Sequence, residues 1–259
     1  MSDLKRKLIV SGVARSGTTA LAELLNSHEG VCVGIERFKF QFLLRQNYSR
    51  KLFSKERFFR FEPQDTNLRP DVRPAWVETY ERMAQKWDDA LIVGDKVPDL
   101  TPILPDFIAQ NPGFRYIYIL RNLRDVGLSW QARANRTRDP WPATKDFAAA
   151  CESWSTQYAE LKAYLDKPDR PDNILLLDYD RMFAVPDETE RTILSFLDLP
   201  QSAAMRQTLE KHSAFAADRK PRKMNAEMQA VHDSTDKAAY DALCQMAHQA
   251  ELVLNRDDE

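Results

Sequence analysis

LIVSGVARSGTTALAELL, residues 8–25, decides the fold. The first residues are apolar and branched. Gly12 and Gly17 bracket the next four, and Thr18 and Thr19 open a stretch rich in leucine and alanine. That order reads as a buried strand, a glycine-framed turn and a helix start. A turn of this kind gathers backbone N–H groups at a helix N-terminus, where an anion binds. The glycines permit backbone angles and close approaches denied to other residues. Arg15 and the helix dipole add positive charge. Arg15, Ser16, Gly17, Thr18 and Thr19 are therefore the candidate anion-binding residues. A Walker loop would carry lysine at 18, and here Thr18 stands in its place.

Outward from this loop, four further apolar runs read as strands: Val31–Gly34, Leu91–Gly94, Tyr116–Leu120 and Ile174–Asp178, with Lys7–Ser11 the first. Their continuous apolarity suits a parallel sheet covered on both faces. Helical patterns at Thr19–Ser27, Val77–Asp88, Asp125–Asn135, Phe147–Leu165 and Thr189–Leu197 alternate with them. The expected class is α/β, a P-loop-like parallel sheet of about five strands flanked by helices on both faces. No repeat or linker divides the chain, so one domain over 1–259 is expected. A helical insertion at about 37–89 contains RFKFQFLLRQNYSRKLFSKERFFRF, residues 37–61. Amphipathic helices with a solvated basic face are one reading of it, and a lid or acceptor wall is the other. Beyond residue 200 the pattern is helical. The apolar positions of 236–254 suit either core or a dimer contact, which leaves a homo-oligomer open.

The 259 residues are 43% hydrophobic and 29% charged, with a net charge of −2. This is the composition of a globular chain with a sizeable core. The balance gives no case for nucleic acid, and any anion site is local. No secretory leader and no apolar run long enough for stable membrane insertion stand out, so a cytoplasmic location is expected. Cys32, Cys151 and Cys244 are odd in number and far apart, which suits neither a disulfide framework nor a metal site.

FRYIYILRNLRDVGLSWQARA, residues 114–134, is the second signal. Arg121 follows a strand at its carboxyl end, where open α/β sheets bind ligands. Arg121 and Ser129 can clamp a second phosphate, while Arg124 and Asp125 read as a structural pair at a helix start. In the first loop the cation sits early, at Arg15, which suits a short anion such as a 5′-phosphosulfate. GVARSGTT followed by LRNLRDVGLS resembles the two cofactor signatures of sulfotransferases that use 3′-phosphoadenosine 5′-phosphosulfate (PAPS). The bacterial and carbohydrate-type branch is the nearest in pattern. LLNSHEGVCVGIE at 24–36, GDKVP at 94–98 and ILLLDYDRMFAVPDETERTILSFLDL at 174–199 resemble further segments. The resemblance spans roughly residues 7–200. It implies that the first loop holds the 5′-phosphosulfate and that Arg121 and Ser129 hold the 3′-phosphate. The basic stretch DRKPRK, 218–223, lacks the family's glycine and offers Arg219, Lys220, Arg222 and Lys223 as further contacts, with Arg219 and Arg222 the chosen ones.

Sulfuryl transfer needs a base, cations for the developing charge and an in-line arrangement. Metal is not required. Glu36, just past the second strand and Gly34, is the chosen base, in keeping with the glutamate-using branch. His28, in the NSHEG turn, is its rival. Arg15 and Lys96 are the expected cations. The expected acceptor is a hydroxyl or amine of a saccharide, lipid-linked or small molecule, with anionic or aromatic character suggested by 37–61. Two alternatives stay open. One is a P-loop kinase or NTPase with a degenerate loop, for which Asp178 would bind Mg²⁺. The other is a non-catalytic nucleotide-binding module on the same scaffold.

Overall fold

The computed structural model describes residues 5–137, 141–218 and 222–254. Five parallel strands form its sheet: β1 (Arg6–Gly12), β2 (Val31–Ile35), β3 (Ile92–Lys96), β4 (Phe114–Leu120) and β5 (Ile174–Asp178). Their spatial order is β2-β3-β1-β4-β5. The apolar runs became strands because both faces of the sheet are covered. Along β1, Leu8 and Val10 join one apolar cluster while Ile9 joins the other.

The first cover comprises α1 (Thr18–Ser27), α9 (Pro186–Leu197) and α10 (Ala203–Ala217). The opposite face carries α5 (Leu104–Gln110), α6 (Leu123–Ala134), α7 (Phe147–Leu165) and α12 (Ala238–Leu254). Three short helices, α2 (Lys39–Leu43), α3 (Lys55–Phe59) and α8 (Tyr179–Met182), and the longer α4 (Val77–Lys86) and α11 (Ala226–Ser234) complete the set. In α12, Leu243 and Ala247 are core residues, whereas Leu252 and Val253 are exposed.

The chain leaves β1 toward α1 on one face, and it leaves β3 and β4 toward α5 and α6 on the other. The exits therefore part at the carboxyl end of β1, which is where a doubly wound sheet opens a ligand crevice. Register places the expected site residues there. Val10 and Ile35 both pair with Lys96, the last residue of β3. Glu36 follows at once, and its N–H donates to Lys96 O at 2.7 Å.

In the insertion Arg45, Arg50, Lys51, Lys55 and Arg60 are exposed, as an amphipathic segment's basic face would be, and Arg37 is the exception. Phe38, Phe42, Phe53 and Phe58 are buried in the cluster that holds Phe107 and Phe114. Arg37 is fully buried and ion-paired with Asp65 at 2.7 Å. It also donates to the carbonyls of Arg57, Phe58 and Arg60. Burial pushes the Asp65 carboxyl up, but hydrogen bonds from Arg57 and Arg37 prevail and hold it at about 2. Arg37 and the phenylalanines thus hold the insertion in place, because a buried guanidinium persists only when paired and hydrogen-bonded.

Candidate active site

The loop between β1 and α1 is held in an uncommon backbone. Gly12 and Gly17 have φ of 154° and 104°, and Arg15 has φ of 74°. A Cβ at Gly12 would meet Ile119 O at 2.6 Å, and one at Gly17 would meet the Tyr179 ring at 2.2 Å. Side chains from three elements brace the loop. The Asp99 carboxylate accepts from Ala14 N–H at 2.7 Å, while Asp99 N–H donates to Gly12 O at 2.9 Å. Trp130 Nε1–H, from α6, donates to Ala14 O at 2.8 Å. Arg121 donates to Arg15 O at 3.3 Å.

A cavity of about 480 Å³ opens above this loop, lined by Arg15, Gly17, Thr18, Thr19, Glu36, Lys96, Arg121 and Ser129 among others. The two sequence signals meet directly, since Arg15 Nε–H donates to Ser129 Oγ at 3.0 Å. Ser16 does not line the cavity. It is fully buried within the loop, and its Oγ lacks a hydrogen-bond partner among the described residues. Arg121 is 7% exposed and lies over the Tyr179 ring at 4.0 Å. It pairs with Asp125 at 3.0 Å, so the expected Arg124–Asp125 pair is corrected. Arg124 instead donates to the carbonyl of Arg222. Its helix also starts earlier than expected, with the Asn122 side chain capping it by accepting from Asp125 N–H at 2.9 Å.

Glu36 and Lys96 form the polar centre. Lys96 Nζ donates to Glu36 Oε1 at 3.2 Å, and Lys39 Nζ donates to Oε2 at 2.8 Å. Burial pushes the Glu36 carboxyl up, but Lys96 and then Lys39 outweigh it and hold it below the ordinary glutamate value. The residue adopts φ of 53°, a strained angle of the kind that concentrates at active sites. Its turn is fixed from beneath by Asp95, whose two oxygens accept from Arg37 N–H at 2.8 Å and Phe38 N–H at 2.7 Å. Burial raises the Asp95 carboxyl to about 7 despite those amides.

The family model of the Sulfotransferase family matches residues 8–203, a span that contains the glycine loop, Glu36, Lys96, Arg121 and Ser129. The chain belongs to that family. No curated protein matches the sequence. Solved structures share the fold at low identity. A sulfotransferase from Mycobacterium avium is 16% identical with a TM-score of 0.52, over 96% of this chain and 77% of its own. Another, from Mycobacterium tuberculosis H37Rv, is 20% identical with a TM-score of 0.52, over 89% and 76%.

In this sulfotransferase His28 stands away from the crevice. It follows α1, which begins at the crevice and runs about 15 Å from it. Its Nδ1 accepts from Gly30 N–H at 2.9 Å, so its Nε2 carries the hydrogen that reaches Pro200 O at 3.0 Å. Asp178 caps α8, accepting from Asp180 N–H at 3.0 Å, and β4 separates its strand from β1. Arg222 lines a second cavity of about 500 Å³ with Arg124, Tyr179, Phe183 and Phe215. Arg219 and Lys220 lie outside the described residues. Among the described residues, no group of His, Cys, Asp and Glu could hold a metal ion, and no helix is long and apolar enough to cross a membrane.

Three residues of the site escaped the sequence reading. Tyr179 supports both Gly17 and Arg121, yet in LLLDYD it reads only as the residue after a strand. Asp99, with φ of 60°, clamps the loop, and its signal was its place just beyond GDKVP. Asp95, buried in β3, fixes the turn carrying Glu36, and an acid inside an apolar strand was the available sign.

Proposed function

We propose that this sulfotransferase takes its sulfuryl group from PAPS and passes it directly to a hydroxyl of a small-molecule or saccharide acceptor, with Glu36 as the base. The observation that carries this reading is the single cavity shared by the anion loop, Arg121 with Ser129, and the Glu36–Lys96 pair. The residues present fit the nucleotide. Arg121, which lines that cavity, has a buried Nε with no hydrogen-bond partner among the described residues, an expensive state that an anion's oxygens would relieve. Gly12 and Gly17 let the loop lie against Ile119 and Tyr179 more closely than any Cβ would allow. The second cavity, with Arg124, Arg222, Phe183 and Tyr179, suits the nucleoside end and its 3′-phosphate.

When bound, PAPS supplies the sulfuryl group and carries away the charge as a bisphosphate. Gly17, Thr18 and Thr19 present N–H and O–H donors at the start of α1. Arg15 and Lys96 place positive charge where it develops on the transferring oxygens. Glu36, kept ionised by Lys96 and Lys39, takes the acceptor's proton at a carboxylate oxygen. Its lowered basicity suits proton removal late in transfer, when the hydroxyl has become acidic. The 37–89 insertion contributes Lys39, Leu43, Leu68 and Arg73 to the cavity wall, and we assign it the acceptor side.

The test is sulfuryl transfer from PAPS, followed as release of the bisphosphate across a panel of hydroxyl acceptors. Acceptor-dependent release that is lost in Glu36→Gln supports the reading. Binding of the nucleotide with no transfer to any acceptor contradicts it.

A further inference from the structure

The anion loop has four consecutive carbonyls, and each is already taken by a donor. Gly12 O accepts from Asp99 N–H at 2.9 Å, and Val13 O accepts from Ser16 N–H at 2.9 Å. Ala14 O accepts from Trp130 Nε1–H at 2.8 Å, and Arg15 O accepts from Arg121 at 3.3 Å. A loop that receives an anion on its amides needs this, since a carbonyl turned to the ligand would repel it. The Asp99 carboxylate runs against the same logic. It lines the anion cavity, where its charge opposes the ligand's. Its Oδ1 is turned into the loop, accepting from Ala14 N–H at 2.7 Å and from Gln157 Nε2–H at 3.0 Å. The proton order behind Asp99 is forced. Donation to a carboxylate orients the Gln157 amide, so Nε2 faces Asp99 and Ser153 Oγ, the latter at 2.9 Å. Thr101 Oγ1 donates to the amide oxygen at 3.1 Å. The one hydroxyl hydrogen of Thr101 is then committed, so Tyr118 is the donor in the 2.7 Å contact between the two hydroxyls. Tyr118, Thr101 and Gln157 are all buried.

We infer that Gln157 and Thr101 are positioning residues of the donor site: the one-way chain Tyr118–Thr101–Gln157–Asp99 holds the anion loop with its carbonyls turned from the incoming 5′ anion. This inference rests on the donor-site reading of the same loop. The chain runs from β4 through the turn Thr101–Ile103 and α7 to the loop. Asp99 brackets the loop's start, with its N–H on Gly12 O and its carboxylate on Ala14 N–H. Trp130 holds the Ala14 carbonyl, so both polar groups of that residue are fixed and the trans peptide joining it to Arg15 has one orientation. Without Gln157 the Asp99 side chain is free to swing toward the cavity, and Gln157 removes that alternative by holding Oδ1 at the loop. A buried, fully satisfied chain of this kind is stiff, which is what a loop with φ of 74° at Arg15 requires. A packing role alone predicts a different ranking of variants.

The experiment begins with 3′-phosphoadenosine 5′-phosphate titrated calorimetrically into the unmutated protein. Absence of binding overturns the donor reading and this inference with it. With binding established, Gln157→Met and Thr101→Val, which keep size but cut the chain, should each weaken the bisphosphate by about tenfold, the worth of one charge-assisted hydrogen bond. Thr101→Ser keeps the hydroxyl and loses a methyl, so it should restore most of the affinity that Thr101→Val loses. A packing role reverses that order, because serine leaves a hole and valine does not. Each titration is run where urea denaturation shows the variant folded. A second measurement needs no variant. In the ligand-free protein the Ala14 amide should be protected from hydrogen exchange, because Asp99 already holds it. Three results overturn the inference while sparing the donor reading. They are unchanged bisphosphate affinity in folded Gln157→Met, a greater loss in Thr101→Ser than in Thr101→Val, and an Ala14 amide that exchanges freely before nucleotide is added.

Discussion

Lys96→Met removes the counterion at the centre of the site. The Lys96 side chain is 2% exposed, and its Nζ lies 3.2 Å from Glu36 Oε1. At that separation, with an effective dielectric constant of about 20, the attraction is about 5 kcal/mol. Loss of water from both groups offsets part of it. Lys39 remains on the other oxygen at 2.8 Å, but at 31% exposure it is the weaker counterion. The variant should therefore lose about 3 kcal/mol at neutral pH, the low end for breaking a buried pair. The pH dependence follows from the Glu36 shift. A carboxyl held below its ordinary value contributes stability that is present above that value and is lost as pH falls through the folded one. The deficit of the variant should accordingly shrink on acidification, as read by urea denaturation at a series of pH values. Without Lys96, burial gains and the Glu36 titration moves up. The acid limb of kcat/KM should shift to higher pH, and the plateau should fall about 10²- to 10³-fold, the usual cost of one transition-state donor. A wild-type acid limb in a folded Lys96→Met protein would refute the coupling, and a wild-type plateau would remove Lys96 from the chemistry.

Asp65→Asn strands the fully buried Arg37 and should cost about 3–5 kcal/mol in chemical denaturation. In the wild type, Asp65 sits at about 2, below its ordinary value, so it contributes about 2 kcal/mol above pH 4 that disappears as pH falls toward 2. Gly17→Ala forces a Cβ into the Tyr179 ring, 2.2 Å away, at a φ of 104°. It should cost about 1–3 kcal/mol of stability and, by displacing the support of Arg121, weaken bisphosphate binding by about tenfold. His28→Ala should lower the melting temperature through two lost hydrogen bonds while kcat stays at the wild-type value. A collapse of kcat with normal stability would return His28 to the mechanism.

The sheet was legible because its signal is local. Runs such as LIVSG and YIYIL are apolar throughout, and a strand buried on both faces leaves no other pattern. The glycine pair of the first loop was equally plain, since φ values of 154° and 104° need glycine. What resisted reading depends on distant partners. Arg37 looked solvated like its neighbours because Asp65 is 28 residues away in sequence, and nothing nearby shows that this one acid neutralises two arginines. Tyr179 meets the site only through the tertiary arrangement, more than fifty residues from Arg121 in sequence.

Calorimetric titration with 3′-phosphoadenosine 5′-phosphate in the presence of chelator, beside ATP with and without Mg²⁺, tests the central claim most directly. Saturable, metal-independent binding of the bisphosphate that is lost in Arg121→Ala is the predicted result. Mg²⁺-dependent binding of ATP with none of the bisphosphate would contradict the account and make the glycine-framed loop a nucleotide triphosphate site.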